Sequence, residues 1–128
     1  MAPGTEHTMK KSFHNLFIWE TAVNLSVSIW ETTRSFPAPE RYVLAAQMQR
    51  CAVSIPSNIA EGAGRLSGRE MRKYLGIARG SACELETQLE IARRCGLIDD
   101  ICHSDLDHRL ALINTGINRW LVKLKKRC

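Results

Sequence analysis

Residues 47–65, QMQRCAVSIPSNIAEGAGR, decide how the rest of the chain is read. Between Tyr42 and Ala60 the only charged residue is Arg50. On a helix, Leu44, Met48, Cys51, Ile55 and Ile59 form one apolar stripe at spacings of three and four. Gln47, Arg50, Ser54, Asn58 and Glu61 form a polar stripe turned about 100° from it. Ala46, Val53 and Ala60 occupy the remaining side, so little of this helix is suited to water. A helix that is apolar nearly all round belongs in the interior of an assembly.

Working outward, this helix spans Pro39 to about Ala63. Pro39 suits its first turn, and Pro56 lies inside it. Pro56 lacks the N–H that would bond the Ala52 carbonyl, which predicts a bend, or two shorter helices with Ser54 capping the second. Gly62 and Gly64 are expected to close it through a left-handed cap. Before it, a helix from about Ser12 to Ser35 carries two apolar stripes. One holds Leu16, Trp19, Val23, Val27 and Trp30; the other holds Ile18, Ala22, Leu25 and Ile29. Phe36-Pro37-Ala38-Pro39 stops it, because a residue preceding proline is driven from the α region.

After it, Ser67-Gly68-Arg69-Glu70 matches a capping box. Met71, Leu75, Ala78, Ala82, Leu85, Leu89 and Ala92 follow as a seam for near-parallel helix packing. Gly96 ends this third helix. Leu97 to His103 reads as a connection, and Ser104 to Asp107 as the cap of a fourth helix bearing Leu106, Leu110, Ile113, Ile117, Trp120 and Leu124. Four helices, short loops and no strand pattern predict an all-α, antiparallel up-down-up-down four-helix bundle over residues 13–124. Residues 1–12 read as a flexible arm and 125–128 as a basic tail.

The net charge of +5 is unevenly placed. Arg119, Lys123, Lys125, Lys126 and Arg127 account for all of the excess, leaving a neutral body. Five cysteines without a paired pattern, and no apolar leader in MAPGTEHTMKKS, predict reduced thiols and a cytoplasmic location. The most apolar run, Leu16 to Thr33, is interrupted by Glu20, Asn24 and Glu31, so no membrane span is expected.

Two residue groups invite a chemical reading. The polar stripe Gln47, Arg50, Ser54, Asn58 and Glu61 matches Ser81, Glu84 and Gln88 on the third helix. A buried Arg50–Glu84 ion pair there, with Ser54, Asn58 and Ser81 as partners, reads either as a register-fixing network or as a ligand site. No nucleophile with a companion base, phosphate loop or dinucleotide fingerprint occurs, so catalysis and cofactors are not expected. Asp105 and His108 supply only half of a di-iron motif, His7 and His14 lack companions, and Cys95 with Cys102-His103 lacks a second ligand pair, so no metal is expected either. Gly76 and Gly80 suit tight packing, since Arg72 and Arg79 exclude lipid. The second group is the tail: Arg119, Lys123, Lys125, Lys126 and Arg127 fit either nucleic-acid phosphates, bound with a steep salt dependence, or a solvated helix end.

Gln47-Met48-Gln49-Arg50, the run Ser54-Ile55-Pro56-Ser57-Asn58-Ile59-Ala60-Glu61-Gly62, and Gly80 to Glu86 resemble the four-helix-bundle family encoded by intervening sequences of 23S rRNA genes. Trp19, Phe36-Pro37 and Glu40 fall at matching places. The resemblance implies an antiparallel bundle, a ring-like homo-oligomer of five subunits, and no established enzymatic activity. A distant likeness to the accessory protein of diversity-generating retroelements implies a nucleic-acid partner. Surplus apolar surface on the first two helices agrees with a ring. The expectation is therefore a non-enzymatic oligomer touching RNA or DNA through its basic end. The alternatives are a protein-binding or purely structural oligomeric scaffold without nucleic-acid contact, and a small-molecule or metal site at Arg50, Glu61 and Glu84.

Overall fold

The computed structural model describes residues 13–37 and 39–127, with side chains described over 15–37 and 42–125. The arm expected over residues 1–12 lies outside the described residues. The described residues form four helices: α1 (Phe13–Thr33), α2 (Pro39–Gly64), α3 (Gly68–Arg94) and α4 (Asp100–Arg127). Each packs on two others in a closed cycle, α1 on α2, α2 on α3, α3 on α4 and α4 on α1.

On α1 the bundle selects one of the two apolar stripes. Ile18, Ala22, Leu25 and Ile29 are buried, whereas Val27 and Trp30 of the other stripe remain 52% and 51% exposed. Thr33 Oγ1 donates to the Ile29 carbonyl and accepts from Gln49 Nε2 at 2.9 Å, fastening the end of α1 to α2. Phe36 tucks into the core just before Pro37.

The second helix runs unbroken through Pro56, so Ser54 caps nothing. The Ala52 carbonyl, deprived of a donor by the proline ring, is taken instead by Ser26 Oγ from α1 at 2.8 Å. The same hydroxyl lies 3.0 Å from the Ala22 carbonyl. Met48, Ile55 and Ile59 are fully buried beside this contact, and burying each stabilises the fold by about 1.5–3 kcal/mol.

Gly62 and Gly64 do not supply the left-handed residue expected at the end of α2. Leu66 does, at φ 60° and 83% exposed. Gly62 has another role. A Cβ there would meet Met71 Cε at 2.9 Å and Tyr74 Cβ at 3.0 Å, so the glycine admits α3 close to α2. Ser67 opens α3 with an extended backbone, and its Oγ accepts from the Glu70 N–H at 3.1 Å. Only this half of the capping box forms; Glu70 Oε2 is buried without a hydrogen-bond partner.

All seven seam residues of α3 are buried. The helix ends with Leu97 N–H on the Ala92 carbonyl, Gly96 N–H on the Arg93 carbonyl, and Gly96 at φ 74°. The fourth helix then begins earlier than Ser104. Asp99 caps it, its Oδ1 accepting from the Cys102 N–H at 2.7 Å, while Ile98 anchors the turn in the core. Leu106, Leu110, Ile113 and Ile117 complete the interior.

Candidate functional site

Between α2 and α3 the polar side chains meet in a ladder. Ser54 Oγ and Ser81 Oγ are 2.8 Å apart, and Asn58 Nδ2 donates to the Ser54 carbonyl at 2.8 Å and to Ser54 Oγ at 2.9 Å. One turn further, Cys51 Sγ donates to Glu84 Oε2 at 3.3 Å and accepts from Gln88 Nε2 at 3.5 Å. The thiol is raised above its ordinary value by burial first and by its bond to Glu84 next, so it stays neutral. Gln88 is 8% exposed, and its Oε1 has no partner.

The expected buried Arg50–Glu84 pair is absent. Both residues are exposed, Glu84 accepts from the thiol, and the Arg50 guanidinium keeps its hydration instead of meeting the cost of burial. Gln47 is also exposed, and Glu61 pairs with Arg65 at 3.0 Å on the surface. The structure thus joins Ser54, Asn58 and Ser81, adds Cys51 and Gln88 beside Glu84, and leaves Gln47, Arg50 and Glu61 outside. Cys51 was hidden by its place in the apolar stripe. A neutral thiol, two hydroxyls and two amides thus bridge α2 and α3, and burial of the thiol works against its activation as a nucleophile.

At the far end of α4, Arg119, Lys123 and Lys125 are exposed and make no ion pair with a described residue. The helix continues to Arg127, so residues 125–127 extend it. The side chains of Lys126 and Arg127 lie outside the described residues. Trp120 and Leu124 hold this end against the core.

An open groove of about 390 Å³ runs between α1 and α2, lined by Val23, Val27, Trp30, Val53 and Pro56 with Glu31 and Arg34 on its rim. It lies above the Ser26–Ala52 bond. On the opposite side, Glu90 accepts from Arg93 at 2.7 Å and Arg94 at 2.8 Å, and these bonds hold its carboxyl down at about 2. His103 Nε2 lies 3.4 Å from Glu90 Oε1. Asp105, considered above as a metal ligand, lies 3.4 Å from Arg109, and His108 is exposed. No group of three or more His, Cys, Asp or Glu converges among the described residues.

Four long helices closed in a cycle around one apolar core define an all-α four-helix-bundle protein, and no described helix is long and apolar enough to cross a membrane. The chain belongs to the 23S rRNA-intervening sequence protein family, whose model matches residues 14–119. It is also similar in structure to a protein of unknown function from the S23 ribosomal protein family of Bacteroides thetaiotaomicron. That likeness has a TM-score of 0.78 at 22% identity and covers 85% of this chain and 98% of the other. Comparison with curated proteins gives no match.

Proposed function

We propose that this chain is a non-enzymatic cytosolic bundle that assembles into a homo-oligomeric ring and contacts RNA or DNA phosphates through its basic end. The helices run up-down-up-down, with a bend at Pro56 in α2. Contacts whose numbering rises on one helix and falls on the next support that reading: Ser26 with Ala52 and Thr33 with Gln49, then Ser54 with Ser81 and Cys51 with Gln88. Five subunits is the number that family resemblance implies.

The observation that carries the ring is the apolar stripe left over on α1. Val27 and Trp30 lie half in water beside Val53, around a groove floored by apolar side chains. A neighbouring copy removes that surface from solvent. In a ring the α4 ends gather on one rim, and the charges of Arg119, Lys123, Lys125, Lys126 and Arg127 are multiplied by the number of subunits.

Light scattering coupled to gel filtration tests the assembly. The wild-type chain is expected to run as a closed oligomer and the V27Q/W30Q variant as a folded monomer. A wild-type monomer at all concentrations would sink the ring. Binding of a structured RNA across a salt series tests the rim. Affinity that stays flat between low and physiological salt rejects phosphate contact.

A further inference from the structure

The α3–α4 side of the bundle holds basic residues that the neutral balance of the body conceals. Arg79 Nη1 donates to Asn118 Oδ1 at 3.0 Å, while Glu90 of α3 faces His103 of α4. Numbers therefore rise along α3 as they fall along α4, and the first turns of α3 lie beside the last turns of α4. Moving back from Arg79 along one face of α3 reaches Gly76, Arg72 and Arg69, at spacings of three, four and three. Moving forward from Asn118 along the facing stripe of α4 reaches Val122 and Lys125. Arg72 and Lys125 are each about 10 Å beyond the Arg79–Asn118 bond, which sets them across from one another.

Arg69, Arg72, Arg79, Arg119, Lys123 and Lys125 are all exposed, and none forms an ion pair with a described residue. Gly76, between Arg72 and Arg79, is exposed, and an added Cβ there would meet nothing within 4 Å, so no side chain covers this stretch of α3. Apart from Glu70 in the first turn of α3, the acidic residues of the two helices lie away from these rows: Glu84, Glu86 and Glu90 on α3, and Asp100, Asp105 and Asp107 on α4, with Asp99 at its cap. Like charges facing each other across a groove repel, and a polyanion lying between them turns that repulsion into attraction.

We propose that Arg69, Arg72 and Arg79 form one wall of a nucleic-acid track whose other wall is Lys125 flanked by Arg119 and Lys123. The phosphate backbone runs along the α3–α4 groove instead of touching the α4 end alone. The track rests on the nucleic-acid reading above and extends it to a helix that was not part of it.

The test measures binding of a short fluorescein-labelled RNA duplex to the full chain by anisotropy, as a function of salt. Four proteins are compared: wild type, R69Q/R72Q, R69K/R72K and K123Q/K125Q. Each lost phosphate contact lowers the slope of log affinity against log salt by about one unit. R69Q/R72Q and K123Q/K125Q are each expected to lose about two units with unchanged thermal melts, and R69K/R72K to keep the wild-type slope. A wild-type slope in R69Q/R72Q beside a reduced one in K123Q/K125Q overturns the α3 wall and leaves the α4 contact standing. Equal losses in R69Q/R72Q and R69K/R72K also overturn it, because the charge would not be what matters. No binding by wild type at low salt rejects the nucleic-acid reading and the track together.

Discussion

Helices α1 and α3 differ in how much of their apolar surface the single chain consumes. On α3 the seam from Met71 to Ala92 is buried, charged residues such as Arg72, Glu86 and Arg94 face water, and the large apolar side chains left exposed, Ile77 and Ile91, stand singly. On α1 the stripe from Ile18 to Ile29 is buried to the same depth, yet Phe17, Val27 and Trp30 remain outside. A four-helix core has room for one stripe per helix. The second stripe of α1 therefore stays at the surface, where Val27 and Trp30 line a groove with Val53.

The comparison breaks first at the core. Leu85→Ala removes a fully buried side chain from α3 and is expected to cost about 2–5 kcal/mol, whereas Val27→Ala in dilute single chains costs less than about 0.5 kcal/mol. Urea unfolding measures both, and losses of similar size would erase the distinction between the two helices.

Next comes the joint under the groove. Ser26→Ala leaves the Ala52 carbonyl without a donor and is expected to cost about 1–3 kcal/mol. In a double-mutant cycle the same change in a Pro56→Ala background is cheaper, because the restored N–H of residue 56 bonds that carbonyl. Equal costs in both backgrounds would mean that Ser26 does not serve the proline.

The smallest effect sharpens the α3 side. The Arg93 and Arg94 hydrogen bonds depress the Glu90 carboxyl from 4.5 to about 2, so they favour the folded state above the ordinary carboxylate value. That contribution fades as pH falls from about 4.5 toward 2 and is gone once Glu90 is protonated in both states. Carboxyl NMR of Glu90 should give a midpoint near 2 in the folded protein. A midpoint at the ordinary value would remove the arginine clamp.

What could be read without coordinates follows from periodicity. The α3 seam and the buried residues of α4 stand out because apolar spacing of three and four has one solution on a helix. On α1 both stripes satisfy the same rule, and only packing chooses between them. The start of α4 is not legible in the sequence, because Asp99 caps it without a glutamate three residues on. Gly62 is ambiguous in the sequence because tight approach and a left-handed turn call for the same residue type; the turn falls to Leu66 instead. Of the polar seam, Ser54, Asn58 and Ser81 were legible from helical spacing. The Arg50–Glu84 pair was not, since burial and not spacing decides whether opposite charges meet. The basic row on α3 is invisible to a charge sum, which has no direction in space.

The cyclic packing of the helices also sets an order of assembly. Three of its four interfaces join helices adjacent in the chain, and only α1 with α4 requires distant segments to meet, as where Arg109 Nη1 donates to Ser28 Oγ at 2.9 Å. Closing so long a stretch of chain costs entropy that a short hairpin avoids. The α2–α3 hairpin, tied by its serines and drawn close at Gly62, is expected to form first, and the α1–α4 seam to close last. Amide exchange should therefore be slowest in the middle of α2 and α3 and fastest along that seam.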